Sequence, residues 1–258
     1  MERYPLYIFD LDGTLYRGNE PIANAADTVR ALSESGAKIR YLTNNSGQTR
    51  AFFLDKLIRM GFPCEMEAIY TSGVGSASYL AANGLKRVFA IGEPGLVTTL
   101  RDHGLEVANA GSDLLTVSAG SESDAVLAGI CRHFNYDLMN GAMQRIRAGQ
   151  PFIATNPDVT YPMEEGRLIP GAGSVVAGIQ ACSEAEPYVV GKPNPYLIRL
   201  ILEELGFPPT SALVVGDRVD TDLVSGERAG CPTHLVLTGV TSVPPEGQSF
   251  SVDLTGLL

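Results

Sequence analysis

The first apolar run of the chain ends in two carboxylates that stand one residue apart. Asp10 and Asp12 follow the apolar segment 6–9 directly, and Gly13 comes next. An apolar run that stops at a glycine predicts a buried strand that opens into a turn. In open α/β sheets, functional sites form beyond the carboxyl ends of the strands. This pair could therefore supply a nucleophile, an acid and metal-binding oxygens at one strand tip.

Three later strand ends carry polar residues of a matching kind. They are Thr43 with Asn44 and Asn45, then Lys192, and then Asp217 with Asp222. Because parallel strands place their carboxyl ends at one edge of a sheet, we expect all four tips to meet. Carboxylates gathered there would repel one another without a cation, and oxygen ligands of this type suit Mg²⁺. The lysine and the hydroxyl attract an anion, so the combination predicts a site for a metal-bound phosphate.

The elements that position these residues alternate between strand-like and helix-like segments. This pattern is typical of an α/β fold with a parallel, Rossmann-like sheet and crossover helices. The middle of the chain has core residues of its own, including a predicted strand at 114–117. We therefore predict a core domain at 1–82 plus 184–258, and a second α/β domain inserted at 83–183. Near the end of the chain, residues 222–229 are predicted to form a helix.

The overall composition of the chain limits the kinds of partner and the cellular location that we expect. The chain has 258 residues and a net charge of −10, which argues against binding nucleic acid polymers or anionic membranes. No apolar stretch approaches membrane-spanning length, and the apolar run at the start is too short for a signal peptide. The four cysteines are scattered, which predicts buried free thiols. Together these features favour a cytoplasmic protein.

In their order, the four motifs resemble those of haloacid dehalogenase (HAD) superfamily phosphatases. They read Asp10-Leu-Asp-Gly-Thr, Thr43-Asn-Asn, Lys192 within Gly-Lys-Pro-Asn-Pro, and Gly216-Asp-Arg-Val-Asp-Thr-Asp. The chain looks most like the NagD-like and 4-nitrophenylphosphatase-like subgroup, and the resemblance covers nearly all of it. It implies a HAD core with a C2-type α/β cap inserted between the second and third motifs. It also implies Mg²⁺-dependent hydrolysis of phosphate esters.

The resemblance assigns the acidic residues to a two-step reaction. Asp10 would attack phosphorus and become a phosphoaspartate, and Asp12 would act first as an acid and then as a base. Mg²⁺ would be held by a carboxylate oxygen of Asp10, the backbone carbonyl of Asp12 and the side chain of Asp217. Asp222 would hold metal-bound waters or orient its neighbours.

The remaining motif residues would bind the phosphoryl group. The resemblance implies that Thr43 donates its hydroxyl and Asn44 its amide, with Asn45 beside them, while Lys192 neutralises charge on the nucleophile and the transferring group. Taken singly, Thr43 and Asn44 could instead cap a helix or form an Asx turn.

Several neighbouring residues have two interpretations. We interpret Asp220 as a structural residue at a helix N-terminus, while Arg218 could reach the substrate or pair with a carboxylate. The glycines 171 and 173 could cradle a phosphate, but a tight hinge between cap and core is the favoured interpretation.

The inserted domain offers candidate residues for substrate selection. The polar, proline-bounded loop 155–162 contains Asn156, Asp158 and Tyr161, which would face the substrate if the resemblance extends to this loop; a rigid turn is the alternative. Some relatives with a histidine near Tyr161 prefer a pyridoxal phosphate, and no histidine stands there. The expected substrate is therefore another small phosphorylated metabolite: a nucleotide, a sugar phosphate or an aryl phosphate. A homodimer is left open.

Other functions fit the sequence less well. A phospho-accepting or phosphate-binding switch domain would also gather acidic residues, a threonine and a lysine, but the inserted domain disfavours it. A phosphomutase is disfavoured because its cap is usually helical and inserted earlier. Carbon–halogen hydrolysis is disfavoured by Asp12, and a dinucleotide-binding protein by the lack of a glycine fingerprint after the first strand.

Overall fold

The computed structural model describes residues 3–109, 122–162 and 168–258. The predicted strand at 114–117 lies outside these residues. The chain divides into two compact units, of which the first comprises Met1–Thr43, Arg50–Tyr70 and Lys192–Leu258, and the second Asn44–Thr49 and Thr71–Gly191. In the described part of the chain, no helix has the length and apolar character needed to cross a membrane. All four cysteines are free thiols, as predicted, but burial was predicted correctly for Cys231 alone, because Cys64, Cys131 and Cys182 are partly exposed.

Strands and helices alternate through most of the chain. The strands are β1 (Leu6–Asp10), β2 (Tyr16–Arg17), β3 (Glu20–Pro21), β4 (Lys38–Thr43), β5 (Ile69–Thr71), β6 (Arg87–Ile91), β7 (Glu106–Val107), β8 (Ala125–Ala128), β9 (Phe152–Ala154), β10 (Thr160–Pro162), β11 (Leu168–Pro170), β12 (Tyr188–Val189), β13 (Ala212–Gly216), β14 (Thr233–Val236) and β15 (Phe250–Ser251). The α-helices are α1 (Ala25–Glu34), α2 (Arg50–Arg59), α3 (Ser72–Ala82), α4 (Pro94–Asp102), α5 (Tyr136–Arg147), α6 (Ala172–Ser183), α7 (Tyr196–Leu205) and α8 (Val224–Ala229).

The first unit is built on a six-stranded sheet in the order β15-β14-β13-β1-β4-β5. β1 lies in the interior and is parallel to both of its neighbours, β13 and β4. Leu6 and Ile8 belong to the apolar cluster that includes α7, while Tyr7 and Phe9 belong to the cluster that includes α1. Successive residues of a strand point to opposite faces, so β1 is buried on both sides.

The register of this sheet brings three of the four predicted strand tips together, whereas the strand before Lys192, β12, belongs to the sheet of the second unit. Asp10 pairs with Leu42 of β4, and Phe9 pairs with Val215 of β13. Thr43 and Asp217 are therefore each one residue beyond the level of Asp10 on the two flanking strands. The α/β fold with a parallel sheet is confirmed.

The segment between β13 and α8 differs from the prediction. A helix was predicted over 222–229, but the α-helix begins at Val224 and a turn of π-helix occupies Val219–Leu223. Leu223 donates its amide to the carbonyl of Arg218, five residues earlier, which widens the turn. Such turns are frequent at functional sites, and the spacing of apolar residues does not reveal them.

The second unit has its own parallel sheet, in the order β12-β9-β8-β6-β7. Its core contains Phe89, Val126, Phe152 and Ile179. The sequence placed the inserted domain at 83–183, whereas the unit in the structure also takes in α3 and β12. β12 pairs with β9, and Tyr188 of β12 stacks on Tyr79 of α3 with 4.4 Å between the ring centroids. These contacts hold both elements to the second unit without any change in local composition.

Some short strands were not predicted. The loop predicted over 155–162 ends in β10, which pairs antiparallel with β11. β2 and β3 form a second small antiparallel pair, and β15 extends the edge of the first sheet beside β14. Each of these strands has two or three residues, too few for an alternating pattern to register.

Candidate active site

The centre of the site in the first unit is a buried lysine between two carboxylates. Nζ of Lys192 lies 2.5 Å from Oδ1 of Asp10 and 2.6 Å from Oδ1 of Asp222, and it also reaches the carbonyl of Leu42 at 3.4 Å. The side chain of Asp10 is 13% exposed, whereas that of Asp222 is 3% exposed. Asp10 is therefore the carboxylate of this pair that is more open to a reactant.

Asp222 is fixed on both of its oxygens. Oδ1 accepts from Lys192, and Oδ2 accepts from the backbone N–H of Arg218 at 3.0 Å. A Cβ on Gly216 would lie 2.4 Å from Oδ2, so the end of β13 approaches this carboxylate as closely as a glycine allows. These contacts support the expected role of Asp222 as a residue that orients its neighbours.

Asp217 uses only one side of its carboxylate. Oδ2 accepts from the N–H of Val240 at 2.6 Å, and the backbone carbonyl accepts from Thr241 at 3.1 Å. Oδ1 is buried, and within the described part of the chain no donor reaches it. Asp10, Asp217 and Asp222 each offer an oxygen, and these atoms lie within 4.8 Å of one another. A buried carboxylate oxygen without a donor, beside two other carboxylates, fits a divalent cation such as Mg²⁺.

Glycines allow the backbone to approach Asp217. A Cβ on Gly13 would lie 2.5 Å from Oδ2 of Asp217, and one on Gly239 would lie 1.9 Å from the same atom. Gly13 also has a φ of 84°, a conformation that L side chains rarely adopt. A residue with a side chain at either position would therefore collide with this carboxylate.

Burial and the neighbouring charges shift the pKa values of the side chains in the site. Burial raises the pKa of Asp10 well above its usual range; the charge of Lys192 opposes this effect, and those of Asp222 and Asp217 add to it. Burial, together with Asp222, raises the pKa of Asp217 to about 6. Burial alone would lower the pKa of Lys192, but the charges of Asp10 and Asp222 outweigh it and raise the value. The site therefore holds more negative charge than its lysine balances.

Asp12 occupies a different environment from Asp10. Burial raises the pKa of its carboxyl, opposed by the charge of Lys56, a backbone hydrogen bond from Gly18 and the charge of Lys192. Lys56 itself lies over the ring of Tyr16, with Nζ 3.7 Å from the ring centroid. A carboxyl group whose neutral form is favoured by burial suits a proton donor.

The second motif is divided between the two units. Thr43 is buried at the end of β4 in the first unit, and Asn44 belongs to the second. Within the second unit, Asn44 donates its side-chain amide to Oδ2 of Asp158 at 3.0 Å, and its carbonyl accepts from Asn156 at 2.7 Å. The structure therefore brings Asn44, Asn156 and Asp158 together.

The two remaining candidate residues of this group are Asn45 and Tyr161. The side-chain oxygen of Asn45 accepts from the N–H of Gly47 at 2.9 Å, which forms an Asx turn. Tyr161 lies in β10, and its side chain is outside the described part of the structure.

The structure shows the contacts of Arg218, Asp220 and the glycines 171 and 173, each of which had two interpretations. Arg218 pairs with Asp220 through contacts of 2.8 and 3.1 Å, so Asp220 is structural and Arg218 has a carboxylate partner. The amides of Gly171 and Gly173 donate to the carbonyls of Val159 and Asp158. These amides therefore form hydrogen bonds within the protein.

Sequence reasoning missed the segment that contacts Asp217. Gly239 and Val240 are not among the candidate residues drawn from the sequence, and Val240 acts through its backbone. The available signal was position: like the four motifs, this segment follows the carboxyl end of a parallel strand, here β14.

The fold and these side chains define the class of the protein: an α/β protein with parallel sheets and a buried cluster of three carboxylates and a lysine. Residues 7–106 match the family described as haloacid dehalogenase-like hydrolase, and residues 189–252 match the one described as HAD-hydrolase-like. The chain is 34% identical over 242 residues to 5'-nucleotidase YutF from Bacillus subtilis, covering 93% of this chain and 90% of the relative.

Solved structures agree with this relationship. A p-nitrophenyl phosphatase from Archaeoglobus fulgidus superposes with a TM-score of 0.89 at 31% identity, covering 99% of this chain and 98% of the other. A glycerol phosphate phosphatase from Mycobacterium tuberculosis, in complex with magnesium, has a TM-score of 0.84 at 31% identity, covering 99% and 76%. The chain belongs to the haloacid dehalogenase-like hydrolase family and is one of its phosphatases. The predicted family and enzyme class are confirmed.

Proposed function

We propose that this phosphatase hydrolyses small phosphate monoesters in a Mg²⁺-dependent reaction that passes through a phosphoaspartate at Asp10. The observation that carries the proposal is the position of Lys192, 2.5 Å from Asp10 and 2.6 Å from Asp222, in a carboxylate cluster where one oxygen of Asp217 has no donor among the described residues. This arrangement supports a nucleophile with a lysine partner and a place for a cation next to it.

Asp10 and Asp217 are the side chains that would hold Mg²⁺, with the backbone carbonyl of Asp12. When bound, the ion would screen the charge between the nucleophile and the phosphate. Asp222 acts in a different way, because both of its oxygens already accept hydrogen bonds. Its role is to orient Lys192.

The reaction proceeds in two displacements. A carboxylate oxygen of Asp10 forms a bond to phosphorus while the bond from phosphorus to the ester oxygen breaks, and Asp12 gives its proton to the leaving alkoxide. Water then attacks the same phosphorus, Asp12 takes a proton from that water, and the bond between phosphorus and Asp10 breaks. Phosphate leaves and both carboxyl groups return to their starting states.

Three residues bind the transferring phosphoryl group. Lys192 supplies a fixed positive charge, because its neighbours hold it in the protonated form. Thr43 donates its hydroxyl from the end of β4, and Asn44 donates an amide. Donors that are already in position when negative charge moves contribute most to the rate.

The substrate is a small phosphorylated metabolite. The named activities of the relatives concern nucleotides, p-nitrophenyl phosphate and glycerol phosphate, which share a phosphate monoester and little else. We propose that residues of the inserted domain select among leaving groups, with Asn45, Asn156, Asp158 and Tyr161 as candidates. The net charge of −10 favours small esters over polymers.

The test is phosphate release from a panel of small esters, measured with and without Mg²⁺. We expect turnover that requires the metal, and a loss on the order of 10³-fold or more in Asp10→Asn, because the variant has no nucleophilic carboxylate. Asp102→Asn, on the exposed side of α4, is the matched control and should retain full activity.

Two outcomes would contradict this proposal. Turnover retained in Asp10→Asn would remove the nucleophile. A wild-type protein that carries a phosphoryl group for minutes without releasing phosphate would indicate a phospho-accepting switch.

A further inference from the structure

Residues 239–241 contact Asp217, and Thr238 precedes them in the same segment. We propose that this segment, with Arg17, is a positioning device that holds one oxygen of Asp217 and leaves the other for the metal ion. We name it the Asp217 clamp and define it as Arg17, Thr238, Gly239, Val240 and Thr241. The inference rests on the proposed function, because it assumes that Asp217 binds Mg²⁺.

The first part of the argument concerns the carboxylate itself. Val240 donates its N–H to Oδ2 of Asp217 at 2.6 Å, and Thr241 donates its N–H to the backbone carbonyl of the same residue at 3.1 Å. Gly239 lies so close that a Cβ there would be 1.9 Å from Oδ2. These contacts oppose rotation of the carboxylate, so Oδ1 keeps its orientation without a hydrogen bond of its own.

The second part concerns what holds the clamp in place. Thr238 is buried, and its hydroxyl donates to the carbonyl of Gly13 at 2.6 Å. Its own carbonyl accepts from Nε of Arg17 at 2.8 Å and from a second nitrogen of the same guanidinium. Thr238 therefore ties the segment to the turn after Asp12 and to the small β2–β3 pair.

The third part concerns metal binding. A ligand that is already oriented loses less conformational freedom when the ion binds, so residues that fix the ligand raise the affinity. The clamp does this with backbone amides and one threonine hydroxyl. None of its side chains needs to contact the metal or the substrate.

The experiment measures Mg²⁺ binding directly, by calorimetric titration of MgCl₂ into the substrate-free protein. Thr238→Val removes the hydroxyl at nearly constant volume and should raise the dissociation constant for Mg²⁺ about tenfold, while Thr238→Ser should stay within about twofold of wild type. Thr255→Val is the matched control. It removes a hydroxyl that is bonded to Asp253 in the same unit, and it should leave Mg²⁺ binding unchanged.

A second variant keeps the test decisive if Thr238→Val does not fold. Arg17→Met changes an exposed residue, removes both guanidinium contacts to Thr238, and should also weaken Mg²⁺ binding. Wild-type affinity in a folded Thr238→Val or Arg17→Met protein would overturn the clamp, even if its thermal midpoint has fallen. A wild-type protein that releases no phosphate and binds no Mg²⁺ would instead overturn the proposed function, and the clamp with it.

Discussion

At the scale of single residues, Lys192 decides the electrostatics of the site. It is the cation that lies between Asp10 and Asp222, and all three side chains are largely withdrawn from water. A buried ion pair adds little net stability compared with apolar packing, but removing one partner leaves a buried charge without compensation. Lys192 therefore stabilises the fold as well as the proposed phosphoryl transfer.

Lys192→Met should lower both stability and activity. We expect the free energy of unfolding, measured by urea denaturation with EDTA present, to fall by about 3 kcal/mol because the carboxylates lose their cation. We also expect kcat to fall by about 100-fold or more, because a fixed positive charge at the phosphoryl group is lost. Lys38→Met, on an exposed residue of β4, is the matched control. An unchanged unfolding free energy would show that the carboxylates do not depend on Lys192.

Much of this site is predictable from residue types, and the rest is not. Asp10, Lys192 and Asp217 carry chemical groups whose types and positions after strands identify them. Thr238 and Val240 escape prediction because a backbone amide has the same chemistry at every residue. Asp158 was predicted to face the substrate, and the structure adds a contact to Asn44 that is 114 residues away in the sequence.

At the scale of elements, β14 and the segment that leads into the edge strand β15 enclose a titratable group. His234 of β14 is fully buried, and its ring nitrogens lie 2.8 Å from the hydroxyls of Ser249 and Ser251. Burial lowers the pKa of His234 to about 4, against 6.5 for an ordinary histidine. The neutral form is therefore the one that the folded protein accommodates.

This pKa shift predicts a loss of stability in acid. The unfolded chain takes up the proton of His234 below about pH 6.5 and the folded chain only near pH 4, so the stabilisation is complete above pH 6.5 and declines between these values. We expect the wild type to lose on the order of 1 kcal/mol more than His234→Gln between pH 7 and pH 5. Urea denaturation at the two pH values measures the difference.

The exposed His133→Gln is the control for this comparison, and it should follow the wild type. Parallel losses in the wild type and in His234→Gln would show that other groups set the acid stability.

Elements also differ in how far they could be predicted. α7 is an element of the kind that periodicity reveals, because Leu197, Ile198, Ile201 and Leu202 form one clear apolar face. The π-helical turn at Val219–Leu223 was taken for the start of an α-helix, since its widening depends on a hydrogen bond that leaves no sequence pattern.

At the scale of the whole molecule, the chain passes between the two units four times. One passage falls between Thr43 and Asn44, inside the second motif. The orientation of Asn44 is therefore controlled from within the second unit, where Asp158 accepts its side-chain amide and Asn156 donates to its carbonyl. This control could not be predicted from sequence, because it depends on which unit residues 44–49 join.

Asp158→Ala tests this control. We expect kcat to fall by about tenfold for every ester in a panel, because Asn44 loses the acceptor that fixes its amide. Asp158→Asn, which keeps a side-chain oxygen, should retain more activity, and the exposed Asp137→Ala of α5 should match the wild type. Unequal losses across the panel would instead mean that Asp158 contacts the leaving group.

Because of the glycines around the carboxylates, more positions of the site are sensitive to substitution than the chemically active residues alone. A Cβ on Gly13 or on Gly239 would lie within 2.5 Å of Asp217, and a Cβ on Gly216 would lie within 2.5 Å of Asp222. In a library of all single substitutions selected for growth on a phosphate ester, these three glycines should tolerate as few replacements as the acidic residues beside them. A map of mutational tolerance would therefore outline the shape of the carboxylate pocket through residues that have no side chain at all.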